Sequence, residues 1–593
     1  MKKTLLHILF LLWLTVSFAQ NEQLAQNYYE RGEFEKARIS YEELLKSQPG
    51  NGVYFQRLID CYQQLEAYEV AEKTIIERLQ RYKQANLYVE LGYNYQLKKD
   101  NKNAEENYNL ALDKIRENPS NVYTVASTFE RKVLLEKALE AYELALSIDI
   151  KARFNYQMGL IYGQLGKQDL MVERFLEEMY LNPQNTVLIQ NQFSRFMSDN
   201  PEDTFNVSLR KALLSRAQKN QDIFWNQMLS WFFTQQKEYG KAFVQERAIY
   251  RREQHSFDNI VNLAQLTIEE GEENIATEIL NFILENTDDN DLQIQSHYYL
   301  TKMQIKKSVP KDYNEIQTAI ELLIKKFGIS PYTLSIQLLQ ADFLTFKQRK
   351  PEQGKAVLHK AMELPLNKFQ EADVKMELAD ILLYEEKFNQ ALIYYTQIEE
   401  DLKNDVLGHE ASLKAAKTSY FKTDFDWALT QLKVLKSAST QLIANDALEL
   451  FLLINDNTNS DSTQTALKKF AKADFLNYQN KDREALVLLK QILEEHKDEE
   501  IEDETLLKIG TIYEELKEFN DALAYYKQII DNHPESIYRD EAYFYSAEIY
   551  NRDFQEPEKA KPLYEAILFN HQDSIHFVEA RKKFRLLRGD TNL

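Results

Sequence analysis

The chain has almost no cysteine and very little glycine or proline. Its 593 residues include 1 Cys, 14 Gly and 11 Pro. The single cysteine, Cys61, excludes an internal disulfide framework. Because glycine and proline are the residues that most often interrupt helices, their scarcity predicts an all-helical chain with short turns. Tyrosine and phenylalanine are plentiful, with 35 and 32 copies, and they supply the bulk that such helices bury.

The chain also lacks an excess of positive charge. Lysine and arginine number 72 against 93 aspartates and glutamates, which gives a formal net charge of −21. Nucleic acid and anionic lipid both require basic surfaces, so this balance argues against either as a partner. High solubility is the ordinary consequence of such acidity. The densest acidic run, Glu494–Glu504, precedes a predicted helix start, where negative charge is favourable; binding of a cation is the alternative.

Motifs that carry chemistry are missing as well. The sequence has no glycine-rich phosphate loop, no HExxH, no GxSxG and no paired CxxC. Asn455–Asp461 resembles a calcium loop but lacks the glycine and the glutamate that such a loop requires, so we interpret it as an inter-helix loop. We therefore predict that the chain is not an enzyme and uses no cofactor or metal ion.

What the chain does contain is a ladder of alanines. Ala37, Ala71, Ala104 and Ala138 are separated by 34, 33 and 34 positions. A fixed period of this length is typical of a solenoid, in which each two-helix unit buries its apolar face against its neighbours.

The clearest copy of the unit runs from residue 507 to residue 534. Gly510 and Ala522 are its small residues, and antiparallel helices approach closely only where side chains are small. We therefore expect these two residues to mark the crossing of the two helices. Aromatic residues flank the crossing and a proline ends the unit: Tyr513, Phe519, Tyr526 and Pro534.

These residues resemble the tetratricopeptide repeat family, whose unit is a helix-turn-helix of 34 residues. An N-terminal copy carries the same pattern in Tyr28, Gly32, Phe34, Tyr41 and Pro49. The resemblance covers nearly all of the chain after residue 19. It implies an all-α fold, a right-handed superhelical solenoid of stacked antiparallel helix pairs.

The quality of the repeat pattern varies along the chain and divides it into segments. We predict a signal peptide at 1–19, an N-terminal repeat array at 20–183, degenerate repeat-like helices at 184–370, clearer repeats at 371–440, a C-terminal array with an irregular start at 441–574, and a capping helix with a tail at 575–593.

The first nineteen residues have the organisation of a secretion signal. Lys2 and Lys3 precede an apolar run from Leu5 to Val16, and a small-x-small cleavage site ends at Ala19. The run is short for a membrane span, and an uncleaved anchor is the alternative. No cysteine follows the cleavage point, which argues against a lipoprotein. We predict export to the periplasm or cell envelope of a Gram-negative bacterium, with cleavage after Ala19 and no membrane span in the mature chain.

In tetratricopeptide arrays, the first helix of each pair lines the concave face, where segments of partner proteins bind. The resemblance implies a row of aromatic residues between amide and arginine donors on the third to fifth repeats. The alternative is that the tyrosines of this row pack between units. The candidate binding residues are Asn86, Val89, Tyr93, Gln96, Tyr123, Ser127, Arg131, Arg153, Tyr156 and Gln164.

The sequence therefore predicts a non-catalytic, exported scaffold that binds protein or peptide segments, with envelope proteins as the expected partners. The stretch His533–Tyr550 is similar to envelope tetratricopeptide proteins of outer-membrane assembly and division, so an accessory in outer-membrane biogenesis or cell division is one alternative. A carrier or sensor of a glycan or small ligand is the other, because grooves lined with aromatic residues can stack sugars.

Overall fold

The structure, a computed structural model, describes residues 21–149, 153–254, 256–438, 440–460, 464–497 and 499–589. Throughout these ranges the regular secondary structure is helical, and they contain no β-strand. The predicted all-α fold of stacked helix pairs is confirmed. Among the helices so described, none combines the length and the apolar character needed to cross a membrane. The signal peptide predicted at 1–19 lies outside the described residues.

The chain forms two compact units. Unit 1 comprises the described residues up to Met197 together with Thr204–Arg216, and unit 2 comprises Ser198–Asp203 and the described residues from Ala217 onward. The segment boundaries expected from the repeat pattern stay predictions.

Unit 1 consists of helices joined by short turns, with 3₁₀ turns at Pro119–Asn121 and Pro183–Asn185. The last helix begins in this unit and belongs to it as far as Arg216. The helices are α1 (21–30), α2 (Phe34–Ser47), α3 (Gly52–Gln64), α4 (Tyr68–Tyr82), α5 (Asn86–Leu97), α6 (Asn101–Glu117), α7 (Val122–Arg131), α8 (Leu135–Ile148), α9 (Asn155–Gln164), α10 (Gln168–Leu181), α11 (Thr186–Ser194) and α12 (Thr204–Lys219).

Unit 2 continues the helix pairs, with 3₁₀ turns at Pro310–Asp312 and Pro331–Thr333 and π-helical segments at Phe343–Lys347 and Ile549–Asp553. Its helices are α13 (Ile223–Gln235), α14 (Tyr239–Arg252), α15 (Asp258–Glu269), α16 (Glu273–Asn286), α17 (Asn290–Lys307), α18 (Tyr313–Phe327), α19 (Leu334–Asp342), α20 (Pro351–Met362), α21 (Lys368–Tyr384), α22 (Phe388–Asp401), α23 (Val406–Phe421), α24 (Phe425–Ala438), α25 (Gln441–Ser460), α26 (Thr465–Tyr478), α27 (Asp482–Glu495), α28 (Ile501–Glu515), α29 (Phe519–Asn532), α30 (Arg539–Glu548), α31 (Pro557–Asn570) and α32 (Phe577–Arg588).

The first helix of each N-terminal pair ends in the same backbone turn. One residue adopts a left-handed conformation, and the next N–H returns to the carbonyl five residues earlier, as Glu33 N donates to Tyr28 O at 2.9 Å. This hydrogen bond closes the helix end, so the position accepts residues other than glycine. The left-handed residues repeat the period of the alanine ladder, at Gly32, Glu66, Lys99, Val133 and Gly166.

The two helices of a pair meet where a small residue faces an aromatic ring sixteen positions later. A Cβ atom on Gly92 would lie 2.5 Å from the Tyr108 ring, and one on Gly510 would lie 2.3 Å from Tyr526. The expected crossing of Gly510 with Ala522 stays a prediction. Ala522 is fully buried, but Tyr526 occupies the space over the glycine, because its ring needs the room that a missing Cβ leaves.

In two helix pairs of unit 2, the small residue of the first helix and the large side chain of the second are separated by seventeen positions instead of sixteen. Ala341 is separated by 17 positions from Leu358, and Ala547 by 17 from Tyr564; all four side chains are fully buried. In both pairs the π-helical segment follows the small residue of the first helix. A π segment accommodates one additional residue in a helix, which matches the longer interval, and each pair of residues lies in one hydrophobic cluster.

Helix α25 interrupts the alternation of pairs. It packs on α24, whereas α23 contacts α26 directly. The predicted loop at Asn455–Asp461 is wrong for residues 455–460, which form the last turns of α25, while Asp461 lies outside the described residues. Asn457 explains the difference: its Nδ2 donates to Leu453 O at 2.9 Å and to Glu504 Oε1 at 3.3 Å, so a contact with α28 supports the helix end.

Candidate functional site

The residues predicted to bind partners lie on or beside α5, α7 and α9 of unit 1, but they are not equally accessible. Val89 has no exposed surface, so its predicted place on the binding face is wrong. The reason is that α5 is buried on several sides, since Leu87, Glu90, Leu91 and Gly92 are buried as well. Asn86 is half-buried, whereas Gln96, Arg153 and Gln164 are exposed.

Each of the three predicted tyrosines packs against a different neighbour. The Tyr123 ring lies 5.5 Å from that of Phe154, and its side chain is 64% exposed. Tyr156 lies 5.9 Å from a phenylalanine ring of α10. The Tyr93 ring has the Lys132 Nζ atom 4.7 Å from its centroid. Packing within unit 1 accounts for part of each ring's surface, and a role of these tyrosines in binding stays a prediction.

Arg131 belongs to a network of charges that spans three repeats. Its Nη2 atom donates to Glu90 Oε1 at 2.6 Å and to Gln56 Oε1 at 2.8 Å. The next residue, Lys132, donates to Asp60 Oδ1 at 2.7 Å and lies 3.2 Å from Glu90 Oε2. Glu90 is fully buried and the Lys132 side chain is 7% exposed. Two carboxylates and two cations therefore face one another; Glu90 and Lys132 have little access to water, whereas the Arg131 side chain is 42% exposed.

The charges of this network satisfy one another. Burial by itself lowers the pKa of Lys132, but the carboxylates of Glu90 and Asp60 outweigh burial and raise it, so the lysine stays charged. The cavity beside the network has a volume of about 440 Å³. Ser127, also predicted to bind, donates instead to the Thr124 carbonyl of its own helix at 3.2 Å. The charged groups of this network are therefore bonded to one another.

A longer groove lies along the first helices of unit 2. Its first part has a volume of about 740 Å³ and is lined by α19, α21, α23, α25 and α26. Its second part, of about 390 Å³, is lined by α23, α25, α26, α28 and α30. Leu413, Lys417 and Asp446 line both parts, so the two form one groove. We call it the acidic groove.

Eight carboxylates and three lysines line the acidic groove. Lys414 Nζ lies 2.6 Å from Asp380 Oδ2 and 4.0 Å from Glu410 Oε1, and Lys508 Nζ lies 2.7 Å from Asp474 Oδ1. Within the described residues, the other five carboxylates form no ion pair with lysine or arginine. They are Asp342, Glu377, Asp446, Glu449 and Glu504.

Burial makes several of these unmatched carboxylates weak acids. It raises the pKa of Glu377 to about 8, and the negative charges of Asp342 and Asp380 act in the same direction. The Oε1 atom of Glu377 is buried and has no hydrogen-bond partner in the part of the chain that the structure describes. Burial also raises the pKa of Glu449 and of Glu504. The groove therefore contains buried carboxyl groups that no lysine or arginine of the described residues pairs with.

Aromatic rings form walls between the carboxylates. The rings of Phe346 and Tyr478 meet edge to face with centroids 6.2 Å apart, and Phe421 lies 5.9 Å from Tyr478. The Tyr478 hydroxyl donates to the Asp380 carbonyl at 3.1 Å, and the Tyr395 hydroxyl donates to Asp380 Oδ1 at 2.5 Å. These bonds fix the rings, so the groove is a pre-formed surface.

Sequence reasoning missed the acidic groove, although a weak signal was present. Asp342, Glu377, Glu410 and Asp446 are separated by 35, 33 and 36 positions, close to the repeat period. A carboxylate that recurs at this spacing on α19, α21, α23 and α25 indicates an acidic stripe on the face that these helices share. Across the ranges that the structure covers, no three His, Cys, Asp or Glu side chains are arranged to hold a metal ion.

Comparisons with known proteins bear on the family. The family model described as tetratricopeptide repeat matches residues 23–51 and 504–536. No curated protein matches the chain. Among solved structures, Naa15/Naa10 bound to HypK-THB is 13% identical with a TM-score of 0.26, and the APC/C hetero-tetramer Cut9-Hcn1 is 13% identical with a TM-score of 0.22. Yeast Tom70 is 12% identical with a TM-score of 0.26.

The alignments with these structures are long, but the likeness is weak. The alignment with Naa15/Naa10 covers 97% of this chain and 97% of the other. The alignment with Cut9-Hcn1 covers 97% and 98%, and the alignment with Tom70 covers 95% and 99%. TM-scores of this size carry no argument about what the chain binds. The two matched stretches coincide with the pairs α1–α2 and α28–α29, which belong to different units and have the helix-turn-helix form. These two stretches match the tetratricopeptide repeat.

Proposed function

We propose that this chain is a non-catalytic scaffold and that its acidic groove binds segments of partner proteins. The observation that supports the proposal is the continuity of the groove, whose parts of about 740 and 390 Å³ share three lining residues. Solenoid repeats present extended binding surfaces of this kind. Aromatic and aliphatic walls supply anchoring contacts for a peptide, and charged groups set its orientation.

The proposed site of action is the periplasm or cell envelope of a Gram-negative bacterium. The support is the sequence alone: Lys2, Lys3, the apolar run that follows, and the cleavage site ending at Ala19. The partners would then be envelope proteins, with an accessory role in outer-membrane biogenesis or cell division as the more specific alternative. Sequencing of the exported protein should begin at Gln20, whereas an intact Met1 in the membrane pellet would refute cleavage.

The binding proposal is tested by filling the groove. Leu413 is half-buried and lines both parts of the groove, so Leu413→Trp should block a partner segment. Leu322→Trp is the matched control, because Leu322 is 60% exposed on α18 and does not line the groove. After crosslinking of the envelope fraction, the wild type and the control should recover the same partners, and Leu413→Trp should lose them. Equal recovery with all three proteins would refute the groove as the site.

A carrier or sensor of a glycan or small ligand remains the second candidate. A part of the groove of about 740 Å³ lies within the size range of small-molecule pockets and has aromatic walls. A bound ligand stabilises the folded state in proportion to its occupancy, so it raises the melting temperature in a saturable manner. A panel of glycans and small metabolites should leave the melting temperature of a protein-segment scaffold unchanged.

A further inference from the structure

The charges and rings that line the groove indicate which kind of protein segment binds there. This inference rests on the proposed function. We propose that the acidic groove binds a segment of a partner protein that is rich in lysine and arginine. The cations of this segment would pair with the five unmatched carboxylates of the groove: Asp342, Glu377, Asp446, Glu449 and Glu504.

The first argument is a comparison of the first-helix surfaces within the two units. In unit 1 the carboxylates of Asp60 and Glu90 are paired by Arg131 and Lys132 at distances of 2.6 to 3.2 Å. In the described part of unit 2, the equivalent kind of surface contains built-in lysines for only three of eight carboxylates. A half-buried carboxylate without a partner is unfavourable, so it gains most when a cation arrives from outside.

The surroundings of Glu377 determine the protonation state of its carboxyl group when no partner is bound. Its pKa is raised to about 8, first by burial and then by neighbouring carboxylates, so the carboxyl group keeps its proton at neutral pH. An arriving ammonium or guanidinium group takes the place of this proton: the O–H bond breaks, an ion pair forms, and the proton passes to solvent. The charged or titratable groups that face Glu377 are Asp342 on α19, Asp380 on its own helix, Tyr395 on α22, Lys414 on α23 and Tyr478 on α26.

The aromatic walls suit the same side chains. Phe346, Phe421 and Tyr478 border the first part of the groove, beside Glu377. A lysine or arginine buries its aliphatic stem against such rings while its charged end reaches a carboxylate. An acidic or purely apolar segment would leave the carboxylates without partners.

The distribution of the carboxylates favours a chain over a single cation. Glu377 lines the first part of the groove, Glu504 the second, and Asp446 both. A metal ion needs three or more ligands at one point, and the described residues contain no such group. Cations carried at intervals along a polypeptide reach both parts together, and their local concentrations reinforce one another.

The test must separate groove binding from the general attraction of an acidic protein for any basic peptide. The probe is a fluorescein-labelled synthetic peptide of about 20 residues with lysine or arginine at every third or fourth position, as helical spacing requires. The groove variant combines Asp342→Asn, Glu377→Gln, Asp446→Asn, Glu449→Gln and Glu504→Gln. The surface variant makes the corresponding Asn and Gln substitutions at five exposed carboxylates of unit 2, which removes at least as much negative charge: Glu363, Glu400, Asp531, Glu535 and Glu565.

Fluorescence anisotropy with the mature chain should show saturable binding to the wild type. We expect the groove variant to weaken binding by about tenfold or more, and the surface variant by about twofold at most. Binding to the wild type should strengthen from about pH 7 to about pH 9, because the cation competes with the proton of Glu377. Equal weakening by both variants would show general electrostatic attraction and overturn the inference. Spermidine binding as tightly as the peptide would overturn it as well.

Failure of the inference about a basic segment can be distinguished from failure of the proposed scaffold function. If crosslinked partner segments recovered from the groove contain no excess of lysine or arginine, the inference about the occupant fails and the scaffold proposal stands. If no partner segment is recovered from the groove, the scaffold proposal itself fails.

Discussion

Replacing Glu377 by glutamine should stabilise unit 2 at alkaline pH and have little effect at acidic pH. The carboxyl group has a pKa of about 8 in the folded chain against an ordinary value of 4.5. Between these values the folded state holds a proton that the unfolded state releases, so the wild type loses stability as the pH rises from 4.5 to about 8. Glutamine has nearly the same shape and does not titrate, so the variant avoids this loss.

The size of the effect follows from the two pKa values. Because one pKa unit corresponds to 1.36 kcal/mol, full burial of the charge would cost roughly 5 kcal/mol above pH 8. Glu377 is only half-buried, and its ionised form can turn toward Lys414 or water. Solvent screening therefore reduces the expected gain of the variant to about 1 to 2 kcal/mol.

The assay is urea unfolding followed by circular dichroism, from about pH 5 to about pH 9, with the wild type and the variant side by side. The difference in midpoint should be near zero at the acidic end and should grow to its full size near pH 8 to 9, as linkage requires. Glu400→Gln is the control, because Glu400 is exposed on α22. A difference that stays constant with pH, or a variant that is less stable at high pH, would refute the reasoning.

Three further predictions concern unit 1. Val133→Gly should stabilise by about 0.5 to 1 kcal/mol, because the valine is 74% exposed and held at φ +58°; an unchanged urea midpoint would contradict this strain. Lys132→Met should destabilise by about 3 kcal/mol, since it leaves Asp60 and Glu90 short of a cation; unaltered thermal unfolding would argue against the network. Cys61 is fully buried, and burial raises the pKa of its thiol to about 12, so a disulfide reagent should modify it only after unfolding; immediate labelling of the native chain would show an open unit.

The sequence predicted the fold well because the repeat is a local pattern. Small and aromatic residues at a fixed spacing report on helix pairs that are adjacent in the chain, and the family match at 23–51 and 504–536 confirms them. The sequence did not show that the Tyr526 ring covers Gly510, because both Ala522 and Tyr526 lie on the inner side of the second helix, and only side-chain packing decides which covers the glycine. The helix through residues 455–460 was missed because a distant contact supports it. Asn457 donates a hydrogen bond to Glu504 of α28, which is 47 residues later in the chain.

The site was much harder to predict than the fold, because charge pairing is a tertiary property. Asp380 and Glu377 lie one turn apart on α21, yet Lys414 pairs with Asp380 and leaves Glu377 unmatched. Likewise, the sequence suggests that Arg131 is available to donate hydrogen bonds to a partner, but in the structure it donates to Glu90. Which charges remain available for a partner depends on neighbours about 34 to 41 residues away, as these two pairs show.

The most direct test of the groove as a binding surface is photo-crosslinking inside the producing cell. A photoreactive residue at Lys417, which is exposed and lines both parts of the acidic groove, should give reproducible crosslinks to segments of one or a few proteins. A photoreactive residue in place of Lys527, which is exposed on α29, serves as the control. A photoreactive residue in place of Tyr156 tests the binding face of unit 1 that the sequence predicts. The account predicts defined partner segments from Lys417 and none from Lys527. Crosslinks from Tyr156 alone, or identical products from Lys417 and Lys527, would contradict it.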